Sequence, residues 1–72
     1  MENNLKKARK QAVKSQQQAA NKLNTTQHQI SKYENGVQDI TLGKARILAE
    51  YYNVSLDYIA GRTEQPENPN LI

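Results

Sequence analysis

Few side chains in this chain could carry covalent or metal chemistry. There is one histidine, His28, and no cysteine, so the ligands for a zinc site are missing. The carboxylates (Glu2, Glu34, Asp39, Glu50, Asp57, Glu64 and Glu67) are scattered along the chain and form no acid–base pair. The three glycines, Gly36, Gly43 and Gly61, do not make a phosphate-cradling loop. What remains is hydrogen-bonding and charge chemistry. Gln27, His28 and Lys32 lie close together in sequence. With Ile30 set inward on a helix, His28 falls at about 160° and Lys32 at about 200°, facing away from the core. Glutamine suits bidentate bonding to adenine, and lysine suits guanine or a phosphate. The expected reading is therefore a binding protein with no cofactor and no metal, not an enzyme.

Charge placement points the same way. Residues 1–46 hold nine Lys/Arg against three acids, a balance of +6, whereas residues 47–72 carry a balance of −3. A basic N-terminal part and an acidic end suit one face for a polyanion and another for a different partner.

These residues must be positioned by helices. No segment alternates with strand period, and the Asn35-Gly36 pair is flanked by helical patterns. A first helix is expected over about Asn4 to Val13, with Leu5, Ala8, Arg9 and Ala12 on one face. Ser15 and Gln18 form a capping box that opens a second helix, with Ala19, Ala20 and Leu23 as its apolar stripe. Asn24 tolerates the left-handed turn that breaks it. Thr26 and Gln29 form a second capping box, and Ile30 and Tyr33 face inward from the third helix until Asn35-Gly36 ends it. Thr41 caps a fourth helix with an inward stripe of Leu42, Ala45, Leu48, Ala49 and Tyr52. Ser55 caps a short fifth, with Ile59 inward and Gly61 closing it.

Seventy-two residues make one domain with a small core. The expected division is a folded part over residues 1–61 and a disordered tail over 62–72, where two prolines interrupt polar residues. No run approaches the ~20 apolar residues of a membrane span, and no apolar signal-peptide core follows Met1. The expected location is the cytoplasm of a bacterial or phage-infected cell.

Two short helices joined by a three-residue break are the skeleton of a helix-turn-helix. The run Ser15-Gln16-Gln17-Gln18-Ala19-Ala20 through Ile30-Ser31-Lys32-Tyr33-Glu34-Asn35-Gly36, followed by Val54-Ser55-Leu56-Asp57-Tyr58, resembles the Cro/CI-type (XRE-like) helix-turn-helix family of phage repressors. The resemblance covers about residues 5–61. It departs at Asn24, where the family usually has Gly, and at Ala19, where it has a larger apolar residue. It departs again at Thr25 in place of Val, and in Asp39-Ile40-Thr41, which lacks a common Pro.

The resemblance implies an all-α, five-helix lambda-repressor-like domain that sets its third helix in the major groove of operator DNA. It implies base reading by Gln27, His28 and Lys32, phosphate contacts from Gln16 and Asn35, and a structural ion pair between Arg9 and Glu34. The implied function is a sequence-specific transcriptional regulator, Cro-like or a compact phage or mobile-element repressor, acting as a homodimer. The alternative is an antirepressor or co-regulator whose partner is another phage-type repressor protein. Ile47 and Tyr51 lie partly off the fourth-helix stripe and Leu56 and Tyr58 follow soon after, so these four are the candidate protein interface.

Overall fold

The computed structural model describes residues 3–63. They form five helices: α1 (Leu5–Gln11), α2 (Gln16–Leu23), α3 (Gln27–Glu34), α4 (Leu42–Tyr52) and α5 (Leu56–Ile59). No strand occurs among the described residues, and the architecture is the expected small all-α domain of the lambda-repressor type. Among the described residues no helix is long and apolar enough to cross a membrane.

Short polar side chains start four of these helices by taking up backbone N–H groups that have no partner within the helix. Ser15 Oγ accepts from the Gln18 amide at 3.0 Å, and Gln18 Oε1 accepts from the Ser15 amide at 2.8 Å, a complete capping box. Thr41 and Ser55 cap α4 and α5. Thr26 Oγ1 likewise accepts from the Gln29 amide at 3.1 Å. The second expected box is only half made, however, because the Gln29 side chain donates instead to Gln38 Oε1 at 2.8 Å.

At α1 the accepting side chain lies one residue further back, where Asn3 Oδ1 accepts from the Leu5 amide at 3.0 Å. Asn3 Nδ2 donates to the Tyr33 carbonyl at 2.9 Å, and Asn4 Nδ2 donates to the Tyr58 carbonyl at 2.8 Å. Two neighbouring asparagines thus tie the first helix to the ends of the third and fifth.

All five helices end alike. One residue adopts a left-handed backbone while its own amide and the next return to carbonyls of the last turn. That residue is Val13, Asn24, Gly36, Asn53 or Gly61. Gly and Asn accept this conformation readily. Valine does not, and it stops α1 at Gln11, two residues short of the expected end. Arg62 donates its amide to the Asp57 carbonyl at 2.9 Å and so remains attached to α5. Residues 64–72, most of the expected tail, lie outside the described residues.

The core joins Leu5 and Ala8 of α1, Ala19 and Ala20 of α2, Ile30 and Tyr33 of α3, the α4 stripe from Ala45 to Tyr52, and Val54, Tyr58 and Ile59. Fully burying one Leu or Ile side chain stabilises a fold by roughly 1.5–3 kcal/mol. Alanines at the α2 face let α2 pack against both α3 and α4.

Two expectations need correction. Leu42, placed in the inward α4 stripe, is 65% exposed. As the first residue of α4 it overhangs the body of the domain, and with Ile40, Ala45, Leu56 and Ile59 it lines an open groove of about 380 Å³. Tyr58, expected at a protein interface, has 0% exposure. The single turn of α5 lays its ring inside the core, with its hydroxyl donating to Gln11 Oε1 of α1 at 3.4 Å.

Candidate nucleic-acid interface

The turn between α2 and α3 is built from Asn24, Thr25 and Thr26. Asn24 takes φ 56° and ψ 47°, and the Thr25 amide returns to the Ala20 carbonyl at 2.9 Å. Beyond it α3 buries Ile30 and Tyr33. Its other side is therefore turned outward: Gln27 and His28 are exposed, and Ser31 and Lys32 are half-buried. Ser31 escaped the sequence reading, although the helical wheel places it only about 60° from His28.

Behind this face runs a chain of side-chain contacts across three helices. Arg9 Nε donates to Glu34 Oε2 at 2.7 Å and Arg9 Nη2 donates to Glu34 Oε1 at 3.3 Å. Arg9 Nη1 also donates to the Lys14 carbonyl at 2.9 Å. The side chains are 11% and 2% exposed, so the pair is largely removed from water and must satisfy its hydrogen bonds within the fold. Gln16 Nε2 supplies another, donating to Glu34 Oε1 at 3.1 Å. Gln16 Oε1 in turn accepts from Gln27 Nε2 at 3.3 Å. Arg9, Glu34, Gln16 and Gln27 are thus brought together, while His28 and Lys32 project separately. Gln16 keeps one amide hydrogen uncommitted and sits at the first turn of α2, where backbone N–H groups and the helix dipole favour an anion.

At the far end of α3, Asn35 Nδ2 donates to Ser31 Oγ at 3.2 Å. Lys44 of α4, another residue the sequence did not single out, holds Nζ 3.3 Å from the Tyr33 hydroxyl and 5.9 Å from its ring centre. Its charge is thereby fixed beside the end of α3.

The candidate protein interface does not assemble as a surface cluster of four. Tyr58 is core. Leu56 and Tyr51 are half-buried and packed against the core, and the Tyr51 ring lies 5.0 Å and 5.5 Å from the ammonium groups of Lys14 and Lys22. Ile47 remains exposed. Next to Tyr51, Tyr52 is buried with its hydroxyl unpartnered. Burial, reinforced by the charge of Glu34, pushes this phenol well above the usual tyrosine range.

Fold and interface together define a helix-turn-helix domain with a polar third-helix face braced from the second helix. The helix-turn-helix family profile matches residues 5–59, and the chain belongs to the Cro/CI-type (XRE-like) helix-turn-helix family. It is similar to the HTH-type transcriptional regulator ImmR of Bacillus subtilis (strain 168), with 40% identity over 60 residues, 83% of this chain and 47% of that protein. The chain thus spans about half the length of this relative. Neither match favours the co-regulator alternative.

Proposed function

We propose that this chain is a sequence-specific transcriptional regulator that reads operator DNA with α3 in the major groove. One observation carries the reading. Gln27 and His28 are exposed on the outward side of α3, yet Gln27, the first residue of the helix, is held in place by Gln16 of α2. Bracing of an exposed side chain presents a fixed hydrogen-bonding pattern to a ligand outside the fold.

In this reading Gln27 and His28 meet base edges, and Lys32 meets guanine or a phosphate. The free amide hydrogen of Gln16, together with Asn35, positions the domain on phosphates. Two copies bind a two-fold-related site, as helix-turn-helix dimers do. The regulator is a Cro-like or compact phage or mobile-element repressor acting in the cytoplasm.

The test begins with selection of duplexes from a random library by the full chain. The affinity for the selected duplex is then titrated at several salt concentrations. Contact with roughly 5–8 phosphates gives a log–log slope of about −5 to −7. A flat salt response, or no binding to any duplex at low salt, overturns the reading.

A further inference from the structure

We propose that Asn35 is a site of spontaneous covalent modification: cyclisation onto the Gly36 amide turns the asparagine into aspartate or isoaspartate and disables this end of the DNA interface. The consequence for DNA, though not the chemistry, rests on the reading given above.

Asparagine is a thermolabile side chain, because the backbone that follows it can attack it. The amide nitrogen of the next residue lies within reach of the asparagine Cγ and closes on it to give a cyclic imide. A side chain on that next residue crowds the approach, and glycine has none. Asn35 is the one asparagine in the chain that precedes a glycine; every other precedes a residue with a side chain.

The attack requires rotation about the Asn35 ψ, which stands at 1°, to carry the Gly36 nitrogen round to Cγ. Inside a helix that rotation would break the hydrogen-bond ladder. Asn35 lies just past the last residue of α3 and is exposed. The rotation frees the Gly36 amide from the Tyr33 carbonyl at 3.2 Å, and the Val37 and Gln38 amides from the Lys32 carbonyl at 3.0 and 3.3 Å. It also parts the Gln38 side chain from Gln29. Val37, Gln38 and Asp39 are all exposed, so water takes the place of these bonds and no core contact is lost. Segments of this kind open far more readily than the fold as a whole.

Ser31 serves the leaving group. Asn35 Nδ2 donates to Ser31 Oγ at 3.2 Å. That contact lies on the helix side of the rotating bond, so it persists while the chain after Asn35 swings. Before the attack the amide NH₂ group only donates. Once the Gly36 nitrogen has bonded to Cγ, the departing nitrogen carries a lone pair, and the Ser31 hydroxyl turns its hydrogen toward it. The bond from the Gly36 nitrogen to Cγ forms and the Cγ–Nδ2 bond breaks. The hydrogen of the Gly36 amide passes by way of Ser31 to the leaving nitrogen, which departs as ammonia. Water then opens the imide at either carbonyl and leaves aspartate or isoaspartate.

Either product suits DNA badly. A neutral donor placed for a phosphate is exchanged for a negative charge. Isoaspartate also adds a methylene to the main chain between α3 and the loop.

The experiment compares the full chain when fresh with the same chain after incubation in mildly alkaline buffer at physiological temperature. Peptide mapping by chromatography and mass spectrometry follows each asparagine. Asn35 is expected to convert severalfold faster than Asn21, Asn24 or Asn53, to a mixture of aspartate and isoaspartate. Ser31→Ala is expected to slow this conversion severalfold in the folded chain and to leave it unchanged in urea, where nothing holds Ser31 on the amide. Ser31→Thr keeps the hydroxyl and should keep the rate, and circular dichroism checks that both variants keep their helices. Binding to a duplex selected from a random library is titrated on the same samples. The converted chain, separated by charge, is expected to bind about tenfold more weakly than the fresh one, as loss of a hydrogen bond to a charged group does. An Asn35→Gln chain keeps an amide but cannot close the same ring, so it should hold its own starting affinity through the incubation. Conversion of Asn35 no faster than that of the other asparagines overturns the proposal, as does a converted chain that binds as well as the fresh one. An unchanged rate in folded Ser31→Ala removes Ser31 from the step. If the fresh chain binds no duplex, the DNA-binding reading falls and the consequence for DNA falls with it, while the peptide maps still decide the chemistry.

Discussion

Gln27 and Gln16 are each the first residue of a helix, and the first donates its side-chain amide to the second across 3.3 Å. The start of α3 is thus registered against the start of α2, and through Gln16 against the buried Glu34. Gln27 is left with a defined amide orientation, its oxygen and one hydrogen available to a base edge.

If the two glutamines act as a unit, their substitutions should not add. Gln27→Ala is expected to weaken binding to a selected duplex by about 1–3 kcal/mol while sparing non-specific binding. Gln16→Ala should weaken both, because it removes a phosphate donor. It should also erode selectivity, because Gln27 loses its brace. In a double-mutant cycle the coupling should be at least about 0.5 kcal/mol. Strict additivity would show that the 3.3 Å contact plays no part in reading.

Arg9 and Glu34 make a prediction about stability. Arg9→Ala leaves a carboxylate 2% exposed with Gln16 as its remaining side-chain donor. An uncompensated buried charge costs about 3–5 kcal/mol, a large share of the ~5–15 kcal/mol that holds a typical domain together. Arg9→Ala combined with Glu34→Gln should recover much of the loss, since no charge is then buried alone. Urea titrations of both variants check this. A midpoint unchanged in Arg9→Ala would mean that the pair is effectively solvated.

What could be read from the sequence was local and periodic. Ile30 and Tyr33 announce the inward side of α3, Ser15 and Gln18 announce the start of α2, and Asn24 announces the turn. Each depends on residues within a few positions of one another. What could not be read depends on distant partners. The asparagines at 3 and 4 find carbonyls 30 and 54 residues away, and Gln29 had a local partner in Thr26 but took one across a loop. Tyr58 sits on a single helical turn, too short for a period to reveal its inward direction. Leu42 fits the α4 period, but periodicity does not say where the neighbouring helices stop. For the candidate site, residue types and the wheel locate His28 and Lys32. The bonds that tie Gln16 to Gln27 and Glu34 are tertiary and appear only in the fold.

Val13 occupies the left-handed position at the end of α1, with φ 58°, and is 87% exposed. The corresponding residues after the other helices are Asn or Gly. A left-handed backbone costs an L-residue roughly 1–2 kcal/mol, and a β-branched side chain is among the worst suited to it. Val13→Gly removes the clash and gives up little packing, so the domain should gain about 1 kcal/mol. That corresponds to a rise of about 4–8 °C in Tm for a domain of this size. An unchanged or lowered Tm would mean that the greater freedom of glycine in the unfolded chain outweighs the relief.

Tyr52 links burial to alkaline stability. Its hydroxyl is buried without a hydrogen-bond partner, and its pKa in the fold is raised above the ordinary value of 10.0, first by burial and then by the charge of Glu34. The native protein therefore keeps the phenol proton after the unfolded chain has lost it. Below about pH 10 both states are protonated and the group makes stability no more pH-dependent. Above it the unfolded state alone ionises, so folding stability falls, by up to roughly 1.4 kcal/mol per pH unit until the native value is reached. Tyr52→Phe removes both the unpaired hydroxyl and this slope. At pH 7 the variant should be as stable as the wild type or about 1 kcal/mol more so, since a buried polar group without a partner is lost. Between pH 10 and 11 its advantage should widen. Every other side chain is common to the two proteins, so the comparison isolates Tyr52. Melting temperatures of the pair at pH 7, 9 and 10.5 measure the difference. If the two curves fall in parallel above pH 10, the phenol of Tyr52 ionises in the native state as freely as in the unfolded chain.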